Sequence, residues 1–491
     1  MTPLGARSFT VIGRVAGYRR RLDGRVVTGI CAPAAAIAVG VAASISPSAV
    51  LVAVAATGAI ACFPSPSGRF GIVVLGGLLV MGSSNQLDPP KVAYLVWVAA
   101  STAVALAALG VESERPNAYI RPLLVTAAAV VAAILLGVVV ALSAETPLID
   151  SVRDAAPYGL LAVASIMAWD GARSRLGPHM EAVIVAAGIL SSVGNAVVFV
   201  QRRGIADFPF DSFGLGSGVV SNLAFAAAIA GILTWRPRPF LRVIVAAVIL
   251  TPLLLSGTRS VLVILVGPVA MVLAHRQRSD KARRLVGALI AVGLVVVLMV
   301  FLAGQVGLVD LVRLSDRIGS VMGIGLNFST DQSYLERIMQ LNVAASAFAG
   351  SPVTGVGLGF RFDWVQFSGE FSHAFTLDTS LAVAAKFGLI GLGLFGIAAA
   401  AGVSLYRRLR HSLPEHLRLT LLGFVSITIA TLPLGNPLED KGLGLAIAML
   451  IAWALASIRT AGADPSTSTH RWSQIPRVYG YAHHVPANPL T

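Results

Sequence analysis

Chemistry in this chain is concentrated in a few positions. Arg202, Arg203, Arg259, Arg337 and Arg361 stand beside apolar or glycine-rich sequence. A guanidinium is a planar fork of donors with a permanent charge, so its natural partners are carboxylates and phosphates. His373 and Asp378 lie close together in the sequence. The imidazole can accept a proton at its ordinary pKa, whereas the carboxylate needs a raised pKa or serves to orient a partner. Between the arginines and this pair runs SPVTGVGLGF, 351–360, where Gly355, Gly357 and Gly359 allow a tight turn or a close approach of backbone to a ligand. The segment lacks the lysine, the preceding strand and the following helix of a nucleotide-binding loop, which disfavours that use. No cluster of His, Cys, Asp or Glu stands at metal-ligand spacing. The expectation is an anion-binding, acid-base site with no metal and no cofactor.

The elements that must position these groups are membrane helices. Of 491 residues, 56% are hydrophobic and 12% charged, with mean hydropathy +0.80. A soluble chain carries about a quarter charged residues, so a water-soluble globule is excluded. Apolar runs of about 17 to 25 residues, the length that crosses a hydrocarbon core, recur from residue 26 to residue 458. They predict an all-α polytopic protein with about fourteen (twelve to fourteen) transmembrane helices. Residues 1–25 read as a basic cytoplasmic segment, 26–458 as the membrane domain, 305–376 as one large extracytoplasmic loop and 459–491 as a disordered cytoplasmic tail. Cys31 and Cys62 fall inside apolar runs and read as inert packing residues.

Charge sets the orientation. Arg236, Arg238 and Arg242, then Arg276 to Arg284, then Arg407, Arg408 and Arg410 mark alternate loops as cytoplasmic, with both termini on that side. The pI near 10.6 therefore reflects topology and attraction to anionic membrane lipid rather than nucleic-acid binding. On this arrangement Arg202, Arg203, Arg337, Arg361 and His373 lie outside, where an arginine needs a local acid or a bound anion. Arg259, in SGTRS, has no acid within ten residues of it, leaving outer headgroups or an anion inside the bundle. Lys386 sits about three turns into a span and must find a carboxylate, a carbonyl or a ligand. Asp378, roughly 12 Å away along a helix, reaches it only through an intermediary.

The large loop should carry two helices. Residues 308–322 alternate as an amphipathic helix at the bilayer surface. A second begins near Tyr334, with Ser333 and Glu336 in capping-box register and Arg337 on the first turn, beside free N–H groups that favour phosphate.

Three pieces in this order, SGTRS before an apolar span, ERIMQLNVAASAFAGSPVTGVGLG in an outer loop, and a polar stretch leading into LDTSLAVAAKFGLIGLGLFG, resemble the O-antigen ligase and O-antigen polymerase family of bacterial membrane glycosyltransferases. The resemblance covers roughly 250–405. Arg259, Arg337, Pro352, Gly355, Gly357 and Gly359 occupy positions of the family pattern, and Gly388-Leu389-Ile390-Gly391 matches its Gly-Leu-x-Gly step. No Asn follows His373, and Asp378 stands nearer the expected dyad position, so the resemblance leaves two candidates, His373 and Asp378, for the acid-base group. The resemblance implies a GT-C-like architecture in a bacterial inner membrane. It also implies inverting, metal-independent transfer of a glycan from an undecaprenyl diphosphate carrier to a hydroxyl of an acceptor glycan or glycolipid on the outer leaflet. Arg259 and Arg337, with Arg361, Arg202 and Arg203 as further candidates, would then hold the diphosphate. A flippase for lipid-linked oligosaccharides is the alternative reading.

Overall fold

The structure is a computed structural model, and it describes residues 62–80, 89–112, 119–202, 217–234, 236, 238–255, 263–274, 279–305, 332–366, 369–373, 379–433 and 435–463. The described elements are α1 (Pro66–Val80), α2 (Pro89–Glu112), α3 (Ile120–Ser143), α4 (Leu148–Arg173), α5 (Met180–Arg202), α6 (Gly218–Leu233), α7 (Pro239–Leu255), α8 (Val266–Leu273), α9 (Ser279–Gln305), α10 (Gln332–Gly350), β1 (Phe362–Gln366), β2 (Gly369–His373), α11 (Leu381–Leu409), α12 (Glu415–Thr431) and α13 (Lys441–Ala463). Arg203, Arg259, Asp378 and the expected amphipathic helix at 308–322 lie outside the described residues.

Two groups of helices share the core. α4 lies along α13 and against α3, and α3 packs on α11. α6 is the axis of the second group, touching α5, α7, α9, α12 and α13. Its run AFAAAIAGIL is buried because small side chains let neighbouring backbones come close. Gly188 of α5, for example, lies directly over Ala224. Ser217 starts α6 by accepting a hydrogen bond from the Val220 N–H, at 3.3 Å. Outward faces remain apolar: Leu135 and Val139 on α3, and Leu294 and Val297 on α9, are each more than half exposed. Such surface is costly in water and at home against lipid.

Several helices are long and apolar, as in a multi-pass membrane protein, but the expected count and architecture are not observed. Among the described residues five segments have the length and composition to cross a membrane: Lys91–Leu109, Ile120–Ser143, Gly177–Ala196, Leu381–Leu409 and Lys441–Arg459. Apolar runs at 217–234 and 239–256 become helices of 16 and 17 residues, the second holding Pro252. Of the run at 259–275, residues 263–274 are described, and they hold the eight-residue α8. α4 begins well before the expected 156, carries Asp150, Arg153, Asp154, Asp170 and Arg173, and is not one of the five. Among the described residues, which leave out 1–61, apolar runs therefore overcounted spans, and no GT-C-like arrangement is found there.

Two local expectations also change. The helix expected from Tyr334 starts at Gln332, which puts Ser333 inside the first turn rather than at its cap and Arg337 in the second turn. Glu336 instead accepts from the Gln340 amide at 3.4 Å. The polar stretch after the glycine segment forms a hairpin, β1 antiparallel to β2, with Phe362 opposite His373 and Gln366 opposite Gly369. Phe362 and Trp364 point to one face, as strand alternation requires, and pack with Ala344 of α10 and Ala382 and Ala385 of α11. Cys62 is a free, exposed thiol rather than a packing residue.

Candidate functional site

The glycine segment and α11 are built into one another. α11 breaks at Gly388, whose φ of 60° and ψ of −167° are outside the helical range. A break inside a helix frees donors on one side and acceptors on the other, and buried polar groups must be paired. The loop after α10 supplies the partners. The N–H groups of Val356 and Gly357 donate to the carbonyls of Ala385 and Lys386, at 2.8 and 3.0 Å. Returning bonds run from Leu389 and Ile390 N–H to the carbonyls of Pro352 and Val353, at 2.8 and 3.1 Å. Leu358 N–H donates to Gly137 of α3, at 3.0 Å.

Glycine is required at these points for two reasons. Gly355, Gly357 and Gly359 have φ of 74°, 87° and 78°, where side chains are strained. Their α-carbons also face neighbouring backbone: Gly355 and Gly388 meet Lys386 and Val353, a Cβ on Gly357 would come 2.6 Å from Ala141 N, and one on Gly359 would come 2.6 Å from Ser151 N.

Under this turn lies a fully buried charge cluster. Lys386 Nζ donates to Asp154 Oδ1 and to Glu439 Oε1, both at 2.6 Å. The three side chains are 0%, 3% and 1% exposed, so solvent does not screen the pairs. Tyr158 OH donates to the same Glu439 oxygen at 2.9 Å. Asp154 Oδ2 accepts the Gly359 N–H at 2.9 Å, and Ser151 Oγ donates to the Leu358 carbonyl at 3.0 Å. The tips of α3, α4, α11 and the turn before α13 are thus tied to the glycine segment. Glu439 Oε2 and both polar atoms of the Asn436 side chain are buried without a hydrogen-bond partner among the described residues. The neighbouring Asp440 carboxyl is pushed above its usual range by burial, against the opposing pull of the Gly442 N–H and the Ser217 hydroxyl.

The arginines are distributed around this core. Arg361 reaches back from the end of the turn to Asp150 Oδ2 at 3.0 Å, yet its side chain is 60% exposed. It can therefore meet a second anion while Asp150 orients it. Arg153 holds the other Asp150 oxygen at 3.5 Å. Arg337 is half-buried in the second turn of α10. Arg202 ends α5 and His373 ends β2; for both, only the backbone is described. Among the expected site residues, the three glycines and Arg361 are brought together.

Lys386 does find carboxylates, but neither is Asp378. Asp150, Asp154 and Glu439 escape a reading built on apolar runs, because such a reading assigns them to short loops between spans, and Tyr158 falls inside an expected span with nothing to single it out. A signal existed for α4: Asp150, Asp154 and Tyr158 recur every four residues, with Arg153 at i+3, and so share one helical face. Comparison with protein-family models finds no match, and comparison with curated proteins finds no similar sequence.

Proposed function

We propose that the chain is a membrane glycosyltransferase of the O-antigen ligase or polymerase type. It moves a glycan from an undecaprenyl diphosphate carrier to the hydroxyl of an acceptor glycan or glycolipid at the outer leaflet of a bacterial inner membrane. One observation carries the reading. The two glycine motifs on which the resemblance rests, Pro352-x-x-Gly-x-Gly-x-Gly and Gly388-Leu-x-Gly, are hydrogen-bonded to each other in a single interlocked turn. The positions form one structural unit, and Arg361 leaves that unit exposed and already oriented.

The charge pattern supports the side. The glycine turn lies at one end of the helices. The opposite end carries Arg236, Arg238 and Arg242 at the start of α7, Arg407, Arg408 and Arg410 at the close of α11, and Arg459 at the close of α13, beyond the acids Asp170 and Glu181 that pair with Arg69 and Arg242. The basic end is the cytoplasmic one in this proposal, with both termini on that side.

In the reaction, the anomeric C–O bond to the diphosphate breaks as the acceptor oxygen attacks from the opposite side, which inverts the centre. Charge gathers on the departing phosphate, and fixed guanidinium groups stabilise it in a low-dielectric cleft without a metal. Arg259, Arg337 and Arg361 take that role, with Arg202 and Arg203 as further candidates. His373 or Asp378 accepts the acceptor's hydroxyl proton. The buried cluster reacts with nothing; it holds the turn.

The test is a strain lacking this protein, with its lipid-linked glycans extracted, sized and probed with an enzyme added outside the inner membrane. Accumulation on the outer leaflet is expected, as single units for a polymerase or long chains for a ligase. Accumulation sealed on the inner leaflet would replace the proposal with a flippase. Restoration by an Arg337→Gln variant to unchanged glycan length would remove Arg337 from the site.

A further inference from the structure

At the basic end, far from the glycine turn, α5, α12 and α13 surround a cavity of about 430 Å3 whose walls include Glu181, Arg236, Ser412, His416 and Trp453. That volume is in the range of small-molecule sites. Its wall holds one arginine and one carboxylate, and these two are not paired with each other. Glu181 is matched by Arg242, whose Nη1 lies 2.6 Å from Oε1, an ion pair by distance although the N–H does not point along the contact. Arg242 is held there because Gly231 leaves the space its guanidinium occupies. Arg236 has a different neighbour: its Nη2 lies 2.7 Å from His416 Nε2. Burial, and then the Arg236 charge itself, lower the His416 pKa to about 4. The imidazole is therefore neutral near pH 7 and supplies no counter-charge to Arg236, while Glu181 Oε2 stands 3.9 Å from the same His416 Nε2. The remaining nearby acid, Glu415, is not part of the cavity wall.

The same wall contains the start of α12. Pro414 occupies its N-cap and offers no side-chain acceptor; the Leu417 N–H turns back to the Pro414 carbonyl at 3.1 Å, which leaves the Glu415 and His416 N–H groups at the cavity, with the Glu415 carboxylate in the same turn. Guanidinium, helix N-terminus and the Ser412 hydroxyl converge there, and the Trp453 and Leu413 side chains give the cavity an apolar flank. We propose that this cavity binds a phosphate group, carried by an anionic lipid headgroup or by a soluble phosphate compound. Arg236 is the residue that holds it, donating two N–H bonds to phosphate oxygens in the manner that lysine cannot reproduce.

The full-length protein, purified in zwitterionic detergent, is titrated with inorganic phosphate at constant ionic strength set with chloride. In parallel its unfolding temperature is compared in phosphatidylcholine nanodiscs with and without phosphatidylglycerol. Saturable phosphate binding that weakens about tenfold or more in Arg236→Gln supports a soluble ligand. No phosphate binding, but stabilisation by phosphatidylglycerol that Arg236→Gln abolishes, supports a lipid. Absence of both effects, or equal effects in parent and variant, overturns the proposal. Should Arg236→Gln fail to fold, Arg236→Lys decides. It keeps the charge and loses the fork, so intermediate affinity supports the site and unchanged affinity overturns it.

Discussion

Replacing Lys386 by methionine keeps the unbranched stem out to Cε and removes one buried charge shared by two carboxylates. Each contact is 2.6 Å, and at an effective dielectric of about 20 each is a gross attraction of about 6 kcal/mol. Desolvation consumes most of that, so the cluster adds little over an apolar equivalent. Removal of one partner is another matter, because Asp154 and Glu439 then face each other buried and unpaired. The expected loss is about 3–5 kcal/mol or more. Neutralising the whole cluster, as Asp154→Asn, Lys386→Met and Glu439→Gln together, should restore the protein to within about 2 kcal/mol of the parent. The assay is denaturant unfolding in detergent, followed by tryptophan fluorescence. A Lys386→Met protein within about 1 kcal/mol of the parent would refute the reasoning, since the charges would then be solvated or paired elsewhere. A triple variant as unstable as the single would refute it too.

Three further outcomes are expected. Gly357→Ala should cost about 1–2 kcal/mol in backbone strain and more from its contact with the backbone of Ala141, whereas Gly350→Ala, with open space around it, should leave the denaturation midpoint close to the parent's. Arg361→Ala should change stability by less than about 1 kcal/mol, as Arg361 is itself 60% exposed and Arg153 still holds the buried Asp150, yet lower glycan transfer by about tenfold or more; unchanged transfer in a glycan-length assay would remove it from the site. His416 titrates at about 4 in the fold against an ordinary 6.5, so the unfolded chain takes up its proton first as pH falls. Its contribution should be constant above about pH 6.5 and lost progressively between about 6.5 and 4, by at most about 1.4 kcal/mol per pH unit, and a His416→Gln variant should lack that slope.

Composition and apolar run length alone determine that this chain lives in a membrane, because no soluble surface can be made from so few charges. The arginine bias marks one end of the helices as basic; in the structure two arginines of that end, Arg69 and Arg242, are paired with the acids Asp170 and Glu181, which the bias alone did not indicate. The break after α10 was legible as well, since three alternating glycines have few uses other than a turn at positive φ. Tertiary structure decided the rest. Hydropathy cannot tell a spanning helix from a buried or interrupted one, so α6 and α7 were overread, while the first turns of α4 were missed because Asp150, Arg153 and Asp154 look like loop. That Gly388 is a helix break, and that residues 352–358 fill it, depends on backbone hydrogen bonds between segments distant in sequence. The partners of Lys386 come from α4 and the turn before α13, 232 and 53 residues away. A charge inside a membrane helix announces that a partner must exist; only the packing of other helices against it selects which one.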